Sequence, residues 1–533
     1  MEGFRVAAVF SSNMVLQREK KLRIFGEGSD GGSVSVSLTL GDTELAHEVC
    51  DITEGRWLAE LPPQKACNGA VLTVRCGAFE KVLTNVAIGE VWLCGGQSNM
   101  EMELQNIQDG RRFLSEDQEP NVRFYYTQKK GFLNEDFYET ERQMCWKEFS
   151  EQDAACWSGV GYLFGKELAA KLGVTVGLIG CNWGGTSAST WTSRESLLAD
   201  RDASVYWTEY EENNAGKSLA EQIAEYEAYE EEYQVWLKKQ EECYREDPKM
   251  DWGTLQERIG VCRWPGPVNA RNPFRPGGLY ECMLLRIAPY SLRGVLFYQG
   301  ESDDHRPRLY YALFTRMIAQ WRKDFREQTL PFLFVQLPMH RYAADPDYKH
   351  WCLIREAQMD CFATVKGTGI AVAIDCGEFN EIHPKDKRPV AHRLYLQAMW
   401  QVYGLADAAE AMGPVYRDFI VRGREMELCF EYAENGFTVR GEEPVGFEIA
   451  GADKRFVPAK ARIDGSRVFV SSEAVQKPRY ARYLWTNYGE VNLYGANGLP
   501  AAPFRTCRDD ETQTAEIKTE IHQIMEVGGT LPS

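Results

Sequence analysis

The 533-residue chain has an ordinary composition for a globular protein, with 44% apolar and 26% charged residues, and its length exceeds what one hydrophobic core usually organises. No stretch approaches the roughly 18 uncharged apolar residues of a membrane-spanning helix, which excludes that class. The net charge of −18, with no Lys/Arg block to offset it, would repel phosphate backbones and excludes nucleic acid as an expected partner.

The cysteines and the first nine residues indicate in which cellular compartment the protein is expected. The fifteen cysteines contain no C-x-x-C pair, so neither a disulfide framework nor a zinc-knuckle spacing is indicated. Residues 1–9 lack the basic start, the apolar run and the cleavage site of a secretory signal. We therefore expect a cytoplasmic protein with reduced thiols.

Residues 1–86 predict a small β-sandwich domain. Short alternating runs such as 33–38 and 71–75 are separated by turn signals, among them Gly-Ser-Asp-Gly-Gly and Pro-Pro. Alternation with period two is typical of strands that bury one face and expose the other.

Residues 87–405 predict an α/β domain with a mostly parallel sheet. Short apolar runs alternate with helical stretches, and such runs are typical of parallel strands that are buried on both faces. Two helices are indicated by a four-residue apolar spacing, one before Gly173 and one through Leu309, Leu313, Met317 and Trp321. The candidate strands are 91–94, 174–179, 294–298, 332–337 and 370–375.

An acidic, Tyr/Glu-rich stretch at about 200–265 interrupts this alternation. Its apolar residues recur at near-helical spacing, so we predict an inserted helical arm. A surface helix docked on the core, a lid over the site and an oligomer contact are the alternatives for its role. After about residue 406 the alternating runs return, including 426–430, 437–440 and 467–470, which predicts a second, C-terminal β region over 406–533.

Polar, glycine-rich motifs follow three of the predicted strands, where open α/β sheets place ligands. The first, Gly-Gly-Gln-Ser-Asn-Met, presents Ser98 from a sharply bent backbone. The second, Asn-Trp-Gly-Gly-Thr, contains Gly185, whose backbone N–H could approach a developing oxyanion unobstructed. The third, Gln-Gly-Glu-Ser-Asp, begins with Gln299, whose amide could donate to the same oxyanion.

The fourth motif, Asn-Glu-Ile-His-Pro, contains His383. We predict a helix that starts at Pro384 and ends at Gly404, which would place His383 at a helix N-terminus. The positive end of the helix dipole would then lower the imidazole pKa and favour the neutral form that a general base requires. The seven histidines show no metal-ligand spacing, so no metal and no other cofactor is expected.

The order of the four motifs resembles that in the SGNH hydrolases, and their residues resemble those of the sialate O-acetylesterase branch. The likeness extends to Gly-Glu-Val-Trp before Ser98, to Lys387 after His383, and to Asn-Leu-Tyr and Gly-Leu-Pro near the end. It implies a flavodoxin-like three-layer domain with a parallel sheet, flanked by N- and C-terminal β-sandwich-like regions.

The resemblance also implies a chemistry. Ser98 would attack an acetyl carbonyl while His383 takes its proton, and an acetyl-enzyme would then be hydrolysed. The oxyanion hole would consist of the Ser98 N–H, the Gly185 N–H and the Gln299 side chain. The chain departs from the SGNH pattern at Asn380, where the acid of the triad usually stands.

The third member of the triad is therefore open at this stage. Glu381 is the first candidate to orient His383, Glu378 and Asp375 are alternatives, and a dyad with a backbone carbonyl is another. The predicted function is a serine esterase that removes O-acetyl groups from sugars, most like sialate O-acetylesterase. An acetyl xylan or mannan oligosaccharide esterase and a non-catalytic sugar-binding protein are the alternatives, and self-association stays open.

Overall fold

The protein has an α/β fold with one large mixed sheet and several smaller β-sheets. The structure, a computed structural model, describes residues 3–510 except 120, 248–249, 251 and 344. The N-terminal strands carry the predicted runs at 33–38 and 71–75. They are β1 (Arg5–Val6), β2 (Val15–Gln17), β3 (Leu22–Glu27), β4 (Ser33–Leu40), β5 (Thr43–Asp51), β6 (Arg56–Leu61), β7 (Cys67–Cys76) and β8 (Phe79–Gly96).

Strand β8 joins the N-terminal strands to the middle of the chain. Its first half pairs antiparallel with β7, and its second half lies at the centre of the parallel part of the large sheet. The boundary that we predicted between residues 86 and 87 falls inside this single strand. The other strands of the middle region are β9 (Val122–Tyr126), β10 (Lys147–Glu148), β11 (Val176–Asn182), β12 (Gly294–Tyr298), β13 (Phe332–Gln336) and β14 (Thr368–Val372).

The order across the sheet is β10-β9-β11-β8-β12-β13-β14, and every neighbouring pair is parallel except β10 with β9. Each of the five predicted strands is confirmed, although the last ends at Val372 rather than at residue 375. Residues of β11 to β14 are buried throughout, which explains why their sequences are almost entirely apolar. Because all these strands run the same way, the loops after β8, β11 and β12 meet at one edge.

The helices either pack around this sheet or form the inserted arm. They are α1 (Ser98–Glu101), α2 (Gly110–Glu116), α3 (Glu135–Glu141), α4 (Glu151–Ala154), α5 (Gly159–Leu172), α6 (Arg194–Leu198), α7 (Ser204–Asn213), α8 (Leu219–Glu246), α9 (Trp252–Ile259), α10 (Leu285–Ile287), α11 (Tyr310–Asp324), α12 (His350–Thr364), α13 (Arg388–Ala398) and α14 (Ala408–Ala411). The two helices predicted from four-residue spacing are α5 and α11, and α5 ends at the left-handed Gly173.

The predicted arm at about 200–265 is helical, as α7, α8 and α9 show. It has a small hydrophobic cluster of its own around Trp236, Cys243, Leu255 and Cys262, separate from the main core. Ser218 caps α8 with a capping box that includes Glu221, which gives this long acidic helix a defined start.

The C-terminal region forms three small antiparallel sheets with a second core. Its strands are β15 (Val415–Arg422), β16 (Glu425–Glu431), β17 (Phe437–Val439), β18 (Phe447–Ala450), β19 (Val457–Pro458), β20 (Lys460–Asp464), β21 (Arg467–Ser471), β22 (Tyr480–Tyr483), β23 (Leu493–Gly495) and β24 (Phe504–Arg505). Over the part of the chain that the structure describes, none of the helices combines the length and apolar character of a membrane crossing.

Candidate active site

Ser98 lies at the first residue of α1, directly after the carboxyl end of β8. The turn that presents it depends on Gly96, whose φ of 130° is in the left-handed region. A Cβ atom on Gly96 would lie 2.1 Å from the Tyr298 carbonyl oxygen, so only glycine allows β8 and β12 to approach this closely. Ser98 is half-buried, and its hydroxyl is therefore held by the fold and still reachable.

The structure brings Ser98 and His383 together although 285 positions separate them in the chain. The Ser98 Oγ atom lies 2.8 Å from His383 Nε2, which is hydrogen-bond distance for a hydroxyl and an imidazole. His383 comes from the long loop between β14 and α13, and this loop folds over the same sheet edge. A neutral imidazole at this distance is able to accept the hydroxyl proton.

The predicted helix start at Pro384 is wrong, because α13 begins at Arg388. His383 therefore does not lie at the N-terminus of a helix, and no helix dipole lowers its pKa as we predicted. The pKa of His383 is lowered all the same, chiefly because burial disfavours the charged imidazole and also because of the positive charge of Lys387. The predicted end at Gly404 is confirmed, since a π-helical turn continues α13 to Tyr403.

Asn99, directly after Ser98, connects the serine turn to the histidine loop. Its side-chain amide donates to the backbone carbonyl of Ile382 at 3.0 Å, and Ile382 directly precedes His383. The same amide donates to a carboxylate oxygen of Glu301 at 2.7 Å. One buried side chain thus connects the serine turn with the histidine loop, which restrains the separation of Ser98 and His383.

Lys387 and Glu301 fix the orientation of the Asn99 amide from its two ends. The Lys387 ammonium donates to Asn99 Oδ1, so the amide nitrogen of Asn99 faces Glu301 and Ile382. Lys387 and Glu301 are both buried. Desolvation lowers the pKa of Lys387 to about 8 and raises that of Glu301 to about 7. Two ionisable groups with displaced pKa values therefore contact Asn99, the residue that follows Ser98.

The glycine pair after β11 lies against Ser98. A Cβ atom on Gly184 would be 3.2 Å from the Cβ atom of Ser98, so the two backbones are in direct contact. The Gly184 N–H donates to the Glu101 carboxylate. The next amide, of Gly185, and the amide of Ser98 have no hydrogen-bond acceptor among the described residues. The turn that carries Ser98 and the glycine turn that contacts it therefore each hold one uncommitted N–H group.

Gln299 is not placed as we predicted. Both hydrogens of its buried amide are used inside the protein, by the Thr186 carbonyl at 3.0 Å and by Asp303 at 2.6 Å. Tyr310 donates to its amide oxygen at 3.0 Å and so fixes the orientation of the group. An amide held in this way supports the loop that carries Gly185 and has no hydrogen left for an oxyanion. We correct the predicted oxyanion hole accordingly.

The three candidate acids lie in different surroundings. Asp375 forms a bidentate ion pair with Arg393 and is thus committed elsewhere. Glu378 is exposed and makes no side-chain hydrogen bond in the described part of the chain. Glu381 accepts from the backbone N–H of His383 at 2.8 Å, and its carboxylate lies 3.8 Å from His383 Nδ1. Of the three, Glu381 is the carboxylate nearest to the imidazole.

Sequence reasoning missed Asn99 and Lys387 as parts of this site. Asn99 adjoins the nucleophile in the first motif, and that adjacency was a signal that could have found it. Lys387 is one of the residues that carry the family resemblance, but its role could not be inferred from the sequence because its partner Asn99 is 288 positions away. Over the described ranges, no group of three or more His, Cys, Asp or Glu side chains is arranged to hold a metal ion.

Comparison with known proteins identifies the kind of enzyme. A family model described as "Carbohydrate esterase, sialic acid-specific acetylesterase" matches residues 88–210 and 268–388. Mouse and human sialate O-acetylesterase are 27% and 26% identical to this chain, each over 94% of it, and the alignments cover 94% and 92% of those proteins. The crystal structure of a carbohydrate acetylesterase from Xanthomonas citri superimposes with a TM-score of 0.74 at 29% identity, covering 95% of this chain and 100% of that one.

These similarities run through the sheet, both β regions and the motifs around Ser98 and His383. The α/β fold and the family match define a carboxylic ester hydrolase. Over most of its length the chain is similar to sialic acid-specific acetylesterases among the carbohydrate esterases.

Proposed function

We propose that this protein removes O-acetyl groups from sugars by a serine mechanism on an SGNH-type three-layer scaffold, with Ser98 as nucleophile and His383 as general base. The observation that carries the proposal is the 2.8 Å contact between Ser98 Oγ and His383 Nε2. The lowered pKa of His383 supports it, because a base must be neutral at the working pH.

In the first half of the reaction, the Ser98 oxygen forms a bond to the acetyl carbonyl carbon while His383 takes the hydroxyl proton. The tetrahedral oxyanion would be bound by the N–H groups of Ser98 and Gly185, neither of which has an acceptor among the described residues. Collapse breaks the bond to the sugar oxygen, which leaves with the proton from His383. Water then attacks the acetyl-enzyme, again with His383 as base, and releases acetate and Ser98.

The groups around Ser98 act on the acyl half of the ester, so we infer the identity of the sugar from the relatives. The family match and the mammalian relatives named sialate O-acetylesterase favour O-acetylated sialic acid. Acetate release measured in parallel from O-acetyl sialic acid and from acetylated xylo-oligosaccharides tests this choice. Faster release from sialic acid supports it, and faster release from the xylo-oligosaccharides assigns the protein to neutral glycans instead.

A fluorophosphonate probe separates catalysis from sugar binding alone. We expect stoichiometric labelling of Ser98, located by peptide mass spectrometry, because a hydroxyl activated by His383 attacks phosphorus as it attacks a carbonyl. Sugar binding without any labelling of Ser98 would contradict the enzymatic mechanism and favour a binding protein.

Glu381→Gln is expected to lower kcat about ten- to a hundred-fold, less than the loss of a buried triad acid, because the Glu381 side chain is 46% exposed and solvent weakens its charge. Removing this negative charge lowers the pKa of His383 further, so the acidic limb of the kcat/KM profile shifts to lower pH. The matched control is Glu378→Gln, which should leave the profile unchanged. Activity of Glu381→Gln within two-fold of wild type would instead indicate a Ser-His dyad.

Lys387→Met is expected to shift the acidic limb in the opposite direction, to higher pH. The Lys387 charge lowers the pKa of His383, so its removal raises that pKa and the imidazole becomes neutral only at higher pH. Lys387→Arg retains the charge and should keep the limb near its wild-type position. Lys385→Met, an exposed neighbour, is the control for a general change in surface charge. A limb that stays in place in Lys387→Met would contradict the electrostatic role.

A further inference from the structure

The side chain of Trp264, in the inserted arm, contacts the candidate active site. The segment 211–267, which contains α8, α9 and Trp264, lies between the two stretches that match the family model. A Cβ atom on Gly185 would lie 2.6 Å from the Trp264 ring, so the indole rests on the Gly185 backbone. Gly185 has a φ of 72° and follows the glycine that contacts Ser98. The insertion therefore places an aromatic ring on the glycine turn that contacts Ser98.

Trp264 belongs to a row of aromatic rings at this place. It makes an edge-to-face contact with Phe274, with ring centroids 5.1 Å apart, and Phe274 makes a similar contact with Trp183 at 6.3 Å. All three rings are half-exposed. Trp183 directly precedes the glycine pair, so both ends of the row adjoin the turn at Ser98. We call Trp183, Trp264 and Phe274 the aromatic wall.

The aromatic wall is held in shape by a buried asparagine. The Asn272 side-chain amide donates to the carbonyls of Pro265 and Pro267, at 3.0 and 2.9 Å, and so fixes the loop after Trp264. Its side-chain oxygen accepts from the Phe274 N–H at 2.7 Å. Trp264 also packs against the small hydrophobic cluster of the arm. The rings are therefore positioned before any ligand binds, which reduces the entropy lost on binding.

We propose that the aromatic wall is the subsite for the pyranose ring of the acetylated sugar, and that Trp264 is a specificity-determining residue supplied by the insertion. This inference rests on the proposed function. The C–H face of a pyranose is apolar and weakly positive, which suits the negative face of an indole or phenyl ring. The acetyl group on a ring bound here lies towards Ser98, because the wall adjoins the turn at Gly184 and Gly185. Recognition by the wall concerns the sugar and leaves the acyl chemistry to Ser98 and His383.

The test compares two ester substrates for each variant. Trp264→Ala is expected to lower kcat/KM at least about ten-fold on the sugar ester that wild type prefers, mainly through KM, because stacking is lost while the reacting groups stay in place. Hydrolysis of p-nitrophenyl acetate, which has no pyranose, should fall several-fold less than hydrolysis of the sugar ester. Trp264→Phe keeps an aromatic face and should recover most of the sugar activity. Tyr244→Ala, another partly buried aromatic of the same arm cluster, is the matched control for loosening of the arm.

The outcomes separate this inference from the proposed function. Equal losses on both substrates in Trp264→Ala, or a loss in Tyr244→Ala of the same size and selectivity, would show that the ring serves only the structure of the arm and would overturn the inference. Unchanged sugar kinetics in Trp264→Ala would overturn it as well. If wild type hydrolyses p-nitrophenyl acetate but neither sugar ester, the proposed substrate class fails first and the subsite fails with it.

Discussion

Replacement of Ser98 by alanine is expected to reduce acetate release roughly 10⁴- to 10⁶-fold, the loss typical of a serine hydrolase without its nucleophile. The Ser98 hydroxyl is the one oxygen that His383 Nε2 contacts in the described structure, and alanine leaves the imidazole with no proton to accept. The substitution removes a single half-buried oxygen, so the melting temperature should change little. Initial rates with p-nitrophenyl acetate and with the preferred sugar ester measure the effect.

Ser115→Ala provides the control for this experiment, since Ser115 is an exposed hydroxyl on α2. It should match wild type on both substrates. Wild-type rates in Ser98→Ala would refute the assignment of the nucleophile, and with it the acetyl-enzyme. A loss restricted to the sugar ester would instead make Ser98 a substrate-binding group.

His383→Ala is expected to cause a loss of roughly 10⁴-fold or more in kcat, because without a base the Ser98 hydroxyl stays protonated at neutral pH. Fluorophosphonate labelling of Ser98 should slow in parallel, since it needs the same activated oxygen. In wild type, kcat/KM should rise as the pH passes upward through the lowered pKa of His383, because the neutral imidazole is the active form. His383→Ala should lose this acidic limb.

The double variant Ser98→Ala/His383→Ala tests whether the two side chains work as a unit. Groups that act in one step are not additive, so the double variant should be about as slow as the worse single variant. His392→Ala is the matched control, because His392 is a half-exposed histidine on α13 that pairs with Glu167. Losses that multiply in the double variant would mean that Ser98 and His383 contribute independently.

The strands of the large sheet could be predicted from the sequence because burial on both faces leaves a direct mark on it. Runs such as 294–298 are apolar without interruption, and each predicted run coincides with a strand. Strand β9 was missed, although four of its five residues are buried, because its sequence contains Arg123 and has polar neighbours. The guanidinium of Arg123 donates to the backbone carbonyls of Asn13 and Asn85, and those partners come from distant segments.

The helix start at Arg388 could not be predicted from local signals. Pro384 fits the first position of a helix, and so does Pro389, which lies in the first turn of α13. In the structure the helix begins after Lys387, whose ammonium donates to Asn99, the residue that follows Ser98. A single sequence does not reveal which of two equivalent prolines begins a helix.

The sequence by itself determined the α/β character of the middle region, the helical arm and the identity of Ser98 and His383 as the pair to examine. Burial, periodicity and glycine-rich turns are properties of neighbouring residues, and they are visible in a single chain. Only the tertiary structure decided that the Gln299 amide donates to Thr186, that Asn99 connects the turn of Ser98 to the loop of His383, and that Trp264 lies on Gly185. Each of these is a contact between segments far apart in sequence, and its hydrogen bonds and packing depend on distances that exist only after the sheet has formed.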